Sequence, residues 1–103
     1  MYSFIETKLF SRLLGDYLTD DEYVLLQRAL IEAPERGALV PGSGGARKLR
    51  WALPGRGKRG GARVIYYAKT SEGVIWMLTI YAKNEEESIP AHILRKIKDE
   101  IDG

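Results

Sequence analysis

Four cationic side chains stand out as residues whose type and spacing could do chemistry. They are Lys48, Arg50, Arg63 and Lys83. Each lies in, or at the end of, a segment with the alternation of a β-strand, so neighbouring strands could bring them together. Four cations around one phosphate would stabilise the dianionic phosphorane that forms when a ribose 2′-OH attacks it. The pattern therefore predicts a phosphodiester site.

The position of Lys83 also has a simpler explanation. It ends the most apolar segment of the chain, so its ammonium is expected at the rim of a cleft. A long cationic side chain at a strand end also extends its ammonium toward water without any functional role, which would give Lys83 the same position.

Crowded like charges lower the pKa of a lysine, which would let one of the four cations act as a base near neutral pH.

The charge of the chain is unevenly distributed. The net charge is +2, yet eight of the 16 basic residues and none of the 14 acidic residues lie between Gly37 and Lys69. A cationic surface of this kind on a small domain is typical of a protein that binds a polyanion, most commonly nucleic acid.

A glycine-rich turn is predicted over residues 54–61. Its cations are Arg56, Lys58 and Arg59. We expect this turn to contact the phosphate backbone, with a flexible tip of solvated cations as the alternative. Gly55 to Gly60 also match the dinucleotide pattern GxGxxG, but a strand follows instead of a helix, so we reject that function.

No cofactor or metal is predicted. The chain has no cysteine, and its single histidine, His92, has no partner at ligand spacing. Ser43 lies in GSGG and not in the GxSxG of a nucleophile elbow. The absence of cysteine and of an apolar leader favours the cytoplasm, and no apolar run is long enough for a membrane span.

The elements that must position the cations follow from periodicity and turn signals. One domain, 1–103, is predicted, with the order β-α-α-β-β-β-α. Strands are expected at 2–6, 46–53, 63–69 and 74–83, and helices at 8–14, 20–33 and 90–101, with a loop at 36–45. Thr19 and Glu22 form a capping box, and Gly15 and Pro34 are expected to end helices.

This order predicts an α+β domain of two layers, an antiparallel sheet with the N-terminal helical hairpin on one face. In the strand 46–53, Leu49 and Trp51 share one face while Lys48 and Arg50 share the other. The apolar strand 74–83 is expected inside the sheet.

One aromatic residue is predicted to contact RNA. Tyr66 and Tyr67 are adjacent in a strand, so one of the two must face away from the helices. A sheet face with exposed tyrosine and arginine is typical of proteins that stack and clamp single-stranded RNA. Tyr67 is the candidate, with a core position as the alternative.

Three runs of the sequence resemble the RelE/ParE superfamily of bacterial type II toxins, and its HigB-like branch in particular. The runs are GSGGARKLRWA, GRGKRGGARVIYY and LTIYAKNE. The resemblance covers essentially the whole chain. It implies a RelE-like microbial RNase fold and ribosome-dependent cleavage of mRNA in the A site by metal-independent 2′-OH attack.

The resemblance also implies site residues. Lys48 and Arg50 match a lysine pair on the second strand of the best-studied members, and Arg63 matches an arginine that opens the next strand. Lys83 lies beside the position of a further arginine, where this chain has Asn84. We expect Lys83 or Lys48 to transfer protons and Arg63 to hold the phosphate.

The late tyrosine of those members is missing here, since its position falls near Pro90. The predicted RNA- and ribosome-contacting residues are Arg47, Arg56, Lys58, Arg59, Tyr67 and Asn84. The implied partners are the 70S ribosome, mRNA and a cognate helix-turn-helix, HigA-like antitoxin whose acidic segment would cover the basic face. Operator DNA would be contacted only through the antitoxin complex.

Two other functions remain open at this point. A ParE-like chain on the same fold would inhibit gyrase without an enzymatic reaction. A catalytically inactive module would bind nucleic acid in a salt-sensitive manner and cut nothing. The four cations, Arg63 among them, favour the ribonuclease, since gyrase inhibition needs no phosphate site.

Overall fold

The computed structural model describes residues 2–52, 61–82 and 89–102. Within these ranges the chain forms five strands and three α-helices, and a short 3-10 turn, Thr70–Glu72, joins the last two strands. The elements are β1 Ser3–Glu6, α1 Lys8–Tyr17, α2 Asp20–Glu32, β2 Ala38–Leu39, β3 Arg47–Trp51, β4 Ala62–Lys69, β5 Val74–Ala82 and α3 Ala91–Asp102. None of these helices is long and apolar enough to cross a membrane.

The start of α2 is confirmed as a capping box. The Thr19 hydroxyl accepts a hydrogen bond from the Glu22 amide at 3.2 Å, and the Glu22 carboxylate accepts one from the Thr19 amide at 2.7 Å. The helix ends before Pro34, as predicted. Gly15 does not end α1, which continues to Tyr17. A glycine inside a helix costs only about 1 kcal/mol, which packing of the helix offsets.

The strand order in the sheet is β1-β5-β4-β3-β2, so β5 lies inside the sheet, as predicted. The prediction of a fully antiparallel sheet was wrong for one pair, because β1 runs parallel to β5, with Ser3 opposite Val74 and Glu6 opposite Met77. A parallel pair needs a long crossover connection, and the elements between β1 and β5 provide one.

The expected loop at 36–45 contains a short strand, β2, which was missed. Its two residues pair with Arg47 and Lys48 of β3. Tyr66, which is fully buried, holds the chain before β2: its hydroxyl donates to the Pro34 carbonyl at 2.7 Å and accepts from the Gly37 amide at 3.0 Å. A Cβ at position 37 would lie 3.0 Å from that hydroxyl, so the close approach favours glycine.

The sheet is apolar on both faces, and helices cover both. Val64, Tyr66 and Ile80 pack with α1 and α2, whereas Ile65 and Leu78 pack with α3. The two-layer prediction was therefore wrong, because β4 and β5 carry large apolar side chains on both faces and each face must be buried.

One irregularity sets the side-chain directions of β5. Ile65 lies opposite Thr79 and Tyr66 lies opposite Met77, which leaves Leu78 as the extra residue of a β-bulge. The carbonyl of Leu78 is bonded by the Thr7 hydroxyl at 2.8 Å, and the Thr7 amide bonds the Met77 carbonyl at 3.0 Å. Thr7, the residue directly before α1, thus stabilises the bulge.

The last turn of α3 is tied to the end of β4 by charge. Asp102 lies 3.0 Å from Lys98 and 3.2 Å from Lys69. Hydrogen bonds from these ammonium groups, Lys98 first, hold the pKa of Asp102 below its usual value. All three groups are solvent-accessible, so the contribution to stability is small.

Candidate nucleic-acid interface

Three of the four predicted catalytic cations share one face of the sheet. Arg50 of β3 lies directly opposite Arg63 of β4, and Lys48 lies opposite Ile65. Their neighbours Leu49 and Trp51 belong to the layer under α1 and α2. Because side chains alternate along a strand, Lys48, Arg50 and Arg63 lie together on the face that carries α3. The predicted face assignment within β3 is confirmed.

The burial of this face decreases along β4 and β3 toward the two arginines. Ile65, which packs in the cluster of Leu94, is 2% exposed. Two residues earlier on the same strand and face, Arg63 is half-buried, and across from it Arg50 is exposed. The guanidinium of Arg50 is therefore open to a ligand, and the face changes from apolar to cationic within one strand period.

Tyr81 extends this arrangement onto β5. It lies directly opposite Arg63 and is 6% exposed. Residues Arg50, Arg63 and Tyr81 thus form one row across three strands. A second row contains Lys48, Ile65 and Thr79. Simple alternation along β5 would have put Tyr81 under the helical hairpin, and the bulge at Leu78 turns it to the cationic face.

The arginine pair places two like charges directly opposite each other in the β3–β4 ladder. Side chains directly opposite in an antiparallel pair have Cβ atoms about 4.5–5.5 Å apart, and like charges at such positions are destabilising by a few tenths of a kcal/mol or more. An anion between the guanidinium groups would remove the repulsion. Each planar guanidinium group can donate two parallel hydrogen bonds to the oxygens of a phosphodiester, and Lys48 adds a third positive charge.

Two residues of the predicted RNA-contacting set lie elsewhere in the described structure. The Arg47 guanidinium is on the opposite face, where it donates to the carbonyls of Glu35 at 3.1 Å and Gly37 at 2.8 Å. Tyr67 is half-buried at the covered end of the face, with the Lys98 ammonium 5.8 Å from its ring centroid. Their contact with RNA stays a prediction.

The other predicted site residues lie outside the described residues. They are Arg56, Lys58, Arg59, Lys83 and Asn84. The hydroxyls of Tyr81 and Thr79 were not predicted, since no local signal in the sequence marks the bulge that directs them. Ser43 is buried and has a structural role, because its hydroxyl donates to the Val40 carbonyl at 2.6 Å and accepts from the Ala46 amide at 3.0 Å.

His92 is exposed on α3, as expected. In the described ranges no three His, Cys, Asp or Glu side chains are grouped so that they could hold a metal ion. The arrangement that the described residues offer for chemistry is thus the cationic face of β3 and β4. No protein-family model matches the chain.

Proposed function

We propose that this chain is the toxin of a bacterial type II toxin–antitoxin pair, of the RelE/ParE superfamily and HigB-like branch, and that it cleaves mRNA in the ribosomal A site. The observation that carries this proposal is the register that sets Arg50 opposite Arg63, with Lys48 two residues away on the same face. The proposal is also supported by the resemblance to the RelE/ParE superfamily of the sequence runs that contain these residues.

The chemistry follows from where the charges lie. The 2′-oxygen of a ribose attacks the adjacent phosphorus while the bond from phosphorus to the 5′-oxygen breaks, giving a 2′,3′-cyclic phosphate and a 5′-hydroxyl. Arg50 and Arg63 stabilise the charge that develops on the phosphoryl oxygens. One basic group takes the 2′-OH proton and another protonates the leaving 5′-oxygen, with Lys48 and Lys83 as the candidates.

The cations take the place of a metal ion in this mechanism. Removing one hydrogen-bond donor that stabilises an oxyanion typically lowers kcat by about 10²–10³. Arg63→Ala is therefore expected to lower the single-turnover cleavage rate by roughly that factor. Arg12→Ala, which removes an exposed cation from α1, should leave the rate unchanged.

The partners follow from the same surface. The ribosome would present the messenger in an extended conformation to the cationic face, and a helix-turn-helix, HigA-like antitoxin would cover that face with an acidic segment. Operator DNA would be bound by the antitoxin within the complex. The cationic middle of the chain, flanked by acidic ends, fits a polyanionic substrate and an acidic inhibitor alike.

The test is an in vitro translation reaction with the purified chain, scored by mapping messenger 5′ ends. Cleavage that requires ribosomes and is lost in Arg63→Ala and Lys48→Ala, with Arg12→Ala active, would support the proposal. Gyrase-linked DNA breaks with intact messenger would replace it with gyrase inhibition. Salt-sensitive RNA binding without cleavage or growth arrest would indicate an inactive binding module.

A further inference from the structure

The two edges of the sheet differ in how they are protected from pairing with another strand. The edge strand β2 has two residues and is followed by Pro41. At the other edge, β1 has four residues and carries neither proline nor lysine. Short strands, prolines and lysines are the usual means by which edges avoid association. The edge at β1 has neither proline nor lysine and is twice as long as β2.

The single charge on β1 does not protect that edge either. The Glu6 carboxylate accepts hydrogen bonds from the Tyr23 hydroxyl at 2.8 Å and from the Ser11 hydroxyl. These bonds turn the carboxylate toward the helices. The Glu6 carboxylate is therefore already hydrogen-bonded within the chain. Pairing of another strand with β1 would not bury a carboxylate that lacks hydrogen-bond partners.

The backbone of β1 offers hydrogen-bonding groups to this edge. The Ser3 amide donates to Gly73 at 2.8 Å and the Thr7 amide donates to Met77 at 3.0 Å. In a parallel ladder alternate residues face the partner strand, so Ser3 and Ile5 face β5. The amide and carbonyl of Phe4 and the amide of Glu6 consequently point away from the sheet.

Apolar side chains flank the same edge on both faces. Among the described residues, Ile5 is 38% exposed, Val24 44% and Ile31 41%. Val24 and Ile31 line an open groove of about 530 Å³ between α2 and β1. Tyr2, Phe4, Gln27 and Arg28 complete its lining. Ile5 alternates with Phe4 and therefore lies on the opposite face of the sheet.

We propose that the edge of β1 pairs with a second copy of this chain, antiparallel and centred on Phe4. In this register the two Phe4 residues exchange two backbone hydrogen bonds, Tyr2 lies opposite Glu6 of the second copy, and Ser3 lies opposite Ile5 of the second copy. The two five-stranded sheets become one sheet of ten strands related by a two-fold axis.

The second copy is the occupant because the edge is self-complementary. The two-fold axis through Phe4 also passes near Gln27 and Arg28, which line the groove beside it. Val24 and Ile31 lie on either side of these two residues on α2. The axis therefore brings Val24 of one copy toward Ile31 of the other, and both exposed side chains lose water contact.

The proposed dimer leaves the candidate nucleic-acid interface accessible. In the strand order, β5 and β4 separate β1 from β3, which carries Lys48 and Arg50. Dimerisation and RNA cleavage are therefore independent properties of the chain, and each can fail without the other.

Sedimentation equilibrium of the purified chain, up to the millimolar range, tests the proposal. The unaltered chain should sediment as a dimer, and Ile5→Lys should weaken self-association about tenfold or more. The matched control is Leu39→Lys, which places the same charge on the opposite edge, at a residue 59% exposed, and should leave the dimer intact. A monomer at all concentrations would overturn the proposal.

Disulfide trapping tests the register without depending on the affinity. The natural chain has no cysteine, so Ser3→Cys and Ile5→Cys each introduce one thiol. Opposite residues of a non-hydrogen-bonded antiparallel pair have Cα atoms about 4.5 Å apart, within the range of a disulfide. Mixing the two variants should give a crosslinked heterodimer in preference to either homodimer. Equal crosslinking in all three pairings would refute the register.

Discussion

Converting the cross-strand arginine pair into an ion pair should make the protein more stable and less active. Arg50 lies opposite Arg63 in the β3–β4 ladder. An opposite-charge pair at such positions stabilises by about 0.2–1 kcal/mol, and a like-charge pair destabilises by a similar amount. Arg50→Glu should therefore raise the free energy of unfolding by about 1 kcal/mol, which corresponds to roughly 5 °C in Tm for a domain of this size.

Urea denaturation at low and high salt measures this effect. The Debye length falls to about 3 Å at 1 M salt, shorter than the separation of the two side chains, so most of the gain should disappear there. A double-mutant cycle with Arg50→Ala and Arg63→Ala isolates the pair from other contacts of either residue. The expected coupling is repulsive, about 0.5 kcal/mol at low salt.

The same variants connect stability to function. Arg50→Glu should bind single-stranded RNA more weakly and cleave messenger more slowly, even though it unfolds at higher temperature. A loss of stability in Arg50→Glu, or an attractive coupling between Arg50 and Arg63, would show that their repulsion is already compensated within the folded chain. That result would remove the argument for an anion bound between Arg50 and Arg63.

Three further predictions concern the framework around the site. Tyr66→Phe removes the hydroxyl shared by Pro34 and Gly37 and should lower the free energy of unfolding by about 1–3 kcal/mol, measured by urea denaturation; an unchanged midpoint would contradict the structural role of this hydroxyl. Burial and the hydrogen bond to Glu6 raise the pKa of Tyr23 above its ordinary value of 10.0, so the folded chain keeps this proton where the unfolded chain releases it. Stability should be complete below pH 10 and fall as pH rises above it, and Tyr23→Phe should reduce that fall in an alkaline titration of Tm. Thr7→Val deletes both the cap of α1 and the donor to Leu78, so it should cost about 2 kcal/mol in chemical denaturation, while Thr7→Ser should recover most of it.

Local signals in the sequence predicted the features that depend on local energetics. The capping box at Thr19 and the helix end before Pro34 each follow from backbone groups within one turn. The separation of Lys48 and Arg50 from Leu49 follows from strand alternation, which made the cationic face predictable.

Features that depend on distant partners could not be predicted in this way. The parallel pairing of β1 with β5 joins residues about 70 positions apart, and nothing in Ser3–Glu6 encodes the direction of its partner. The strand β2 is too short to show a period. The side of the sheet on which α3 packs depends on how β4 and β5 divide their apolar residues between two faces, which the bulge changes.

The bulge at Leu78 makes the composition of two surfaces depend on one backbone position. Upstream of it, odd-numbered residues of β5 point to the helical hairpin; downstream, even-numbered residues do. If Leu78 instead paired regularly with Ile65, the downstream half would be inverted, placing the phenol of Tyr81 in the hairpin layer and Ile80 beside Arg63. The polarity of the cationic face thus depends on the position of the bulge as much as on side-chain identity.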